Sequence, residues 1–459
     1  MTLPLRRRRL VAIAAITTIA AAAVVALGIG TATREGPPRT GLPPTPSTSD
    51  AATGAPAHPE FILDLALPPL DPVPWIAVEW HEVRGPFGRR LEPGHDRIDA
   101  LVRGGPGLLA WGRASMPGRN QFDDMGAVYL SQDGRTWLTV PLDAGVGPND
   151  GSEIRVVVPG PAGLLAFGGV CCTDEERPAL WRSPDGRAWT RLPYPAAIGA
   201  ANVTSLVASR DRYVAGGQLD GAAVVWTSRD GVAWAPIGGD PRGFGRGGVN
   251  DVAVAPEGIV AVGWLEDDKV WDGAIWAAAD GDAWERLPAE ILTGVDDTVL
   301  NRIVVRAGGW FVLGWDGSHD ERIRCEQAGR VASIGGTAPP PVMTRDFSCG
   351  WGHEAHWITA DGRNWVEVVP PAGLVPARPG ELVEFGSHRV VAGGPGLVAL
   401  GEEWEVHSSS IFVSEDGRTW QPTDPATQLP SGGPVGLVVV GRSVLAVGSE
   451  LQVWVGAAR

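Results

Sequence analysis

Seven short apolar runs that end in glycine recur along this chain. They are LLAWG to Gly112, LLAFG to Gly168, YVAGG with Gly216, IVAVG to Gly263, FVLG to Gly314, LVALG to Gly401 and VLAVG to Gly448. The glycines lie mostly 47 to 56 residues apart, with one interval of 87. A repeat of this length marks an array whose units bury their apolar faces against neighbouring copies. Each unit resolves into four short strands. The second reads EIRVVVPG, GLLAFGGV, PALWRS and AWTRLP, apolar runs bounded by Gly, Pro and Asp, as buried strands are.

A seven-residue turn joins the third and fourth strands. It appears as SQDGRTW from Ser131, SPDGRAW from Ser183, SRDGVAW from Ser228, AADGDAW from Ala278, TADGRNW from Thr359 and SEDGRTW from Ser414. Asp-Gly between strands predicts a type I′ hairpin, with positive φ at both Asp and Gly. The third strand carries an aromatic two positions before each turn, at Tyr129, Trp181, Trp226, Trp276, Trp357 and Phe412. The turn's own tryptophan (Trp137, Trp189, Trp234, Trp284, Trp365, Trp420) is expected to open the fourth strand and pack between blades.

There are six turns but seven glycines, and the ends explain why. The last unit stops after three strands, with its aromatic at Trp454, while PWIAVEWHEVRGPF near the start places Trp80 57 residues before Trp137. The expected fold is therefore all-β. It is a seven-bladed β-propeller of four-stranded antiparallel blades over residues 73–459, closed by an N-terminal strand that completes the last blade.

The turns resemble the Asp-box (BNR) hairpins of sialidase-like propellers, which have Ser-x-Asp-x-Gly-x-x-Trp. Here Asp and Gly are adjacent, at Asp133, Asp185, Asp230, Asp280, Asp361 and Asp416 and the glycines that follow them. As a fold the resemblance covers nearly the whole folded region, and it implies that the turns are structural braces away from the active face. A calcium site is disfavoured, because one carboxylate per turn gives too few hard oxygen ligands. Sialidase chemistry would need an arginine triad, a tyrosine nucleophile with a glutamate partner, and an aspartate acid. Of the three tyrosines, Tyr129 and Tyr213 fall on strand positions expected to be core, and only Tyr194 lies in a connection.

The N-terminus reads in three parts. Residues 1–9 form a basic tail with Arg6 to Arg9, and Leu10 to Gly30 carries no charge over 21 residues. That length suffices to span a bilayer, so residues 10–32 read as a transmembrane anchor, with a cleaved signal peptide as the alternative. The flanking arginines place the rest outside the cytoplasm. Residues 33–72, rich in Pro, Thr and Ser, read as an extended tether. The chain carries a net charge of −15. It therefore offers no basic field for nucleic acid.

The loops between second and third strands differ from blade to blade, and such loops on a rigid scaffold are the usual seat of recognition. They are acidic and hold tryptophan: Asp123 and Asp124 in blade one, Glu175 and Glu176 in blade two, then Trp264, Asp267, Asp268 and Trp271 in blade four. Trp315 and Asp316 head a long insertion in blade five, and Trp404 and Glu405 belong to blade six. Tryptophan beside carboxylates suits sugar rings or cationic peptide segments; a solvated acidic rim is the plainer reading. Cys325 and Cys349, 24 residues apart within the insertion, are expected to form a disulfide, whereas Cys171 and Cys172 leave their pairing open. His353 and His356 flank Glu354 without a zinc-like spacing, and neither metal nor cofactor is expected. The expected role is a membrane-anchored, non-catalytic binding or scaffold module for protein or cell-envelope glycan. The alternatives are a glycoside hydrolase with altered catalytic residues, which needs paired carboxylates beside the channel, and an assembly factor for a membrane complex.

Overall fold

The computed structural model describes residues 78–459 apart from 89–95, 105–106, 116–124, 148–149, 172–176, 238–243, 256–257, 269, 289–291, 293–296, 307, 318–351, 363, 369–389, 394–395, 404–407, 423–433, 441–442, 449 and 459. The transmembrane and tether segments and the cysteine pair Cys325–Cys349 lie outside the described residues. Among the described residues no helix is long and apolar enough to cross a membrane.

The chain forms seven four-stranded antiparallel sheets, six of them built from four consecutive strands. Blade one shows the plan: Arg97–Gly104 innermost, then Gly107–Ala114, Met125–Ser131 and Leu138–Pro141. The seventh sheet contains Pro434–Val440, Ser443–Gly448 and Val453–Ala458, with Val78–Glu82 running antiparallel to the last of these and Trp80 opposite Gly456.

Each sheet is buried on both faces, which is why the strands read as continuous apolar runs rather than alternating ones. One apolar cluster packs blade one on blade two through Leu109, Val128, Ile154 and Trp181. Another packs blade seven on blade one through Leu445, Val438, Leu101 and Leu108, so the ring of contacts is complete. The third-strand aromatics fill these seams; Tyr129, Trp181 and Trp226 are fully buried, as is Tyr213.

The inner strands carry a feature that accounts for the glycine markers. Those of blades one to five and of blade seven slip register at one residue, namely Asp99, Arg155, Thr204, Asn250, Asn301 and Val435. In blades one to five the carbonyl two residues before the bulge approaches the second strand closely. A Cβ on Gly112, Gly168, Gly263 or Gly314 would lie 2.1, 1.9, 1.9 or 2.2 Å from that carbonyl oxygen. In blade three the residue in this position is Gly217, 2.1 Å from the Asn202 oxygen, and not Gly216 as the spacing predicted. Two adjacent glycines in YVAGG hide which one faces the bulge.

The repeated turns are not type I′ hairpins. Only the glycines have positive φ, between +70° and +79° across the six turns, and none of the aspartates does. The loop is too long for a two-residue turn, since Ser131 ends one strand and Leu138 begins the next. Side chains hold it instead. Ser131 Oγ accepts from Gly134 N at 2.9 Å, and Asp133 Oδ1 accepts from Arg135 N at 2.8 Å and Thr136 N at 2.9 Å. The tryptophan precedes the fourth strand in five blades and starts it only at Trp365. Its indole N–H closes the loop, Trp137 Nε1 donating to Gly134 O at 3.1 Å.

These bonds favour the charged form of the turn aspartates. Backbone N–H groups of Thr136 and Arg135 hold Asp133 below the usual carboxylate range, and those of Val232 and Ala233 do the same for Asp230. At Asp185 partial burial pulls upward, but the N–H groups of Arg187 and Ala188 outweigh it. A folded-state value below the unfolded one, about 3.9 for aspartate, stabilises the fold above that value, and the benefit is lost as pH falls through the folded value. Urea midpoints are therefore expected to drop between about pH 5 and pH 3, and Asp230→Asn is expected to shrink that drop. An unchanged pH slope in the variant would refute the role of this turn.

Candidate functional site

The two ends of the propeller differ in what they expose. The hairpin between first and second strands lies beside the Asp-Gly turn, since a Cβ on Gly107 would sit 2.9 Å from Ser131 O. The bulged halves of the inner strands thus lie at the other end, with the loops joining second to third strands, around the mouth of the central channel.

Most polar groups of this belt join one blade to the next. Thr204 Oγ1 reaches Val249 O at 2.6 Å, and Asn250 Nδ2 donates to Leu300 O at 2.8 Å. Ser205 Oγ donates to Asp251 Oδ1 at 2.8 Å, and the second oxygen of Asp251 accepts from Ile303 N at 3.1 Å. Trp111 Nε1 donates to the carbonyl of the bulged Arg155 at 3.2 Å. The bulge side chains of blades three and four, and the residues that follow them, therefore act as a girdle.

Blades one and two differ. Arg97 and Arg113 face one another in register. Arg97 Nε contacts Asp99 Oδ1 at 2.7 Å, with side chains 44% and 31% exposed, and Arg113 Nη2 contacts Glu153 Oε2 at 3.3 Å, with side chains 24% and 37% exposed. Two carboxylates and two guanidinium groups thus meet at the mouth, supported by backbone yet open to solvent. Burial raises the Asp99 carboxyl above its ordinary range; Arg97 and Arg113 oppose the rise and the Glu153 charge adds to it.

The residues singled out from the sequence are placed differently. Trp264, Asp267, Trp271, Trp315 and Asp316 belong to strands, because Gly258–Asp267 and Val270–Ala278 run almost to a two-residue turn and Gly309–Gly317 extends past Asp316. Trp264 and Trp271 are buried, pack together with ring centroids 5.3 Å apart, and rest on Val299 with Trp315 alongside. They fasten blade four to blade five. Asp316 accepts from Thr298 Oγ1 at 3.0 Å, while Asp267 and Asp268 are exposed at the hairpin tip. Asp123, Asp124, Glu175, Glu176, Trp404 and Glu405 lie outside the described residues. Asp133, Asp185, Asp230, Asp280, Asp361 and Asp416 sit in the turns at the opposite end. Among the described residues no three His, Cys, Asp or Glu side chains gather as a metal site would require.

The sequence reading missed the channel-mouth group, although a signal was present. In RIDAL, EIRVV, NVTSL, VNDVA and LNRIV, two residues separate the buried apolar positions instead of one. That break in the period of two is the bulge.

The fold is a seven-bladed β-propeller. No family model matches the chain, and no curated relative matches it. Among solved structures it is similar to virginiamycin B lyase from Staphylococcus aureus, at 10% identity over 83% of this chain and 99% of that one, with a TM-score of 0.46. It is likewise similar to YCF48 bound to D1 peptide, at 13% identity over 85% and 98% with a TM-score of 0.46. The α-L-arabinofuranosidase of Fusarium graminearum shares 13% identity over 83% and 97%, with a TM-score of 0.38. Likeness of this degree adds nothing to the blade count, which rests on the seven sheets themselves.

Proposed function

We propose that this protein is a membrane-anchored, extracytoplasmic binding module that takes a polar ligand, protein or cell-envelope glycan, at the channel mouth. The observation that carries the reading is the open Arg97–Asp99 and Arg113–Glu153 group, set on strands of blades one and two that the Trp111 Nε1 bond to Arg155 O also joins. Preorganised charges on a stiff frame lose little entropy on binding. The exposed Asp267 and Asp268 extend the same face. The anchor at 10–32 and tether at 33–72 would hold this face away from the bilayer. The test is retention of cell-envelope glycans and envelope proteins by the full chain, compared with Arg113→Ala and Glu153→Gln. Retention is expected to fall about tenfold in each variant; a full chain that melts normally and retains nothing overturns the reading.

A second reading, glycoside hydrolysis, is favoured by one observation: Asp99 holds its proton more tightly than an ordinary carboxyl, with Glu153 near enough to influence it. A pair of carboxylates at one site is what such hydrolysis uses. Release of aryl alcohol from aryl glycosides, abolished by Asp99→Asn, would establish it.

Circular closure by the N-terminal strand belongs to the same proposal. The antiparallel run of Val78–Glu82 beside Trp454–Ala458, with Trp80 against the blade six–seven cluster, supports it. Deletion of residues 78–82 would leave an unpaired edge. The shortened chain is expected to dimerise or aggregate on gel filtration, while a chain that stays monomeric with an unshifted melting transition excludes closure.

A further inference from the structure

The face opposite the channel mouth holds a cleft of about 840 Å³ between blades four and five. Its origin lies in the turns. Gly134 and Gly231 abut Leu445 and Leu165 of the preceding blade, whereas Gly362 of blade five abuts Trp310 of its own blade. Among the described residues the turn of blade five therefore leaves space on this side of Val260, and blade four borders it with the small side chains of Ala277, Ala278 and Ala283. The walls are Ile259, Leu287, Trp284 and Trp310, an apolar lining of the size that suits a small ligand.

Among the described residues one cation, Arg306, borders this lining. Arg306 donates through Nη1 to Glu415 O at 3.3 Å and through Nη2 to Asp416 O at 3.1 Å. Its Nε is buried without a hydrogen-bond partner among the described residues. Burial disfavours its charge, with only the weaker pull of Asp416 in opposition. Arg212, which bridges blades three and four on this face, pairs with both Asp211 and Asp282. Two carboxylates also border the cleft. Asp361 already accepts from Asn364 N at 2.8 Å and Asn364 Nδ2 at 2.6 Å, and Glu285 is exposed on the outer strand. Among the described charges at this cleft, Arg306 is thus the one whose hydrogen bonds go to carbonyls alone.

We propose that this cleft binds a small apolar carboxylate, its hydrocarbon part against Trp310, Ile259 and Leu287 and its carboxylate on Arg306. A half-buried guanidinium whose Nη groups bond carbonyls and whose Nε is unpartnered among the described residues gains from an anion, and the apolar walls select one with a hydrophobic body. The site lies on the face away from the channel mouth and stands or falls independently of ligand binding there.

The probe is decanoate below its micelle concentration, titrated calorimetrically into the full chain with decanol as the uncharged control. One saturable site per chain is expected. Arg306→Gln should weaken decanoate at least about tenfold and leave decanol within about twofold, while Arg306→Lys should retain decanoate. Ala277→Phe, which fills the cleft from the blade-four side, should abolish both. If Arg306→Gln does not fold, Ala277→Phe and Arg306→Lys decide the matter. Decanoate that fails to saturate a normally melting chain, or that binds Ala277→Phe unchanged, overturns the proposal.

Discussion

Gly263→Ala is expected to destabilise the propeller by about 3 kcal/mol or more, whereas Gly308→Ala should cost about 1–2 kcal/mol. The two glycines differ in what a methyl group would meet. At Gly263 it would lie 1.9 Å from Gly248 O and 2.9 Å from Gly248 C, both backbone atoms of an inner strand fixed by the bulge at Asn250. Neither rotamer change nor side-chain motion relieves that contact, so a strand must shift and with it the seam to blade five. Gly308 has φ +80° and nothing within 4 Å of its Cβ position, so only the left-handed backbone is penalised. Urea unfolding at constant m separates the two cases. A Gly263→Ala loss no larger than that of Gly308→Ala would show that the bulge does not enforce the glycine.

Trp226→Ala is expected to cost about 3–5 kcal/mol. The indole is fully buried in the cluster that packs blade two on blade three, and its Nε1 donates to Ala197 O at 3.0 Å. Truncation leaves a cavity and a buried carbonyl without its donor. Trp189, in the turn of blade two, is half-buried and bonds only within its own loop, to Gly186 O at 2.9 Å. Its alanine variant should lose about half as much or less. Denaturant midpoints of the two variants test the claim that the fully buried Trp226 contributes more to its seam than the half-buried Trp189 contributes to the seam it packs against. Equal losses would reject it.

The repeat was legible because a propeller writes its packing locally. Each blade needs four short strands, a turn that reverses the third into the fourth, and an aromatic for the seam, and all three recur within about fifty residues. The turn's Asp and Gly could be read as a hairpin, but its type could not. That depended on Ser131 Oγ and Asp133 Oδ1 reaching backbone N–H groups three residues away. The tryptophans of blade four looked like a binding surface because Trp264, Asp267 and Trp271 are close in sequence. Only the neighbouring blade, which supplies Val299 and Trp315, turns them into core.

Sequence alone determined the all-β class, the number of repeats and the positions of the turns, since these follow from hydrophobic periodicity and from residues acting on their own backbone. Tertiary structure decided which glycine opposes each bulge, which charges meet at the channel mouth and where the blade seams stay open. Those outcomes depend on contacts between residues some fifty positions apart, and no local pattern encodes the distance between them.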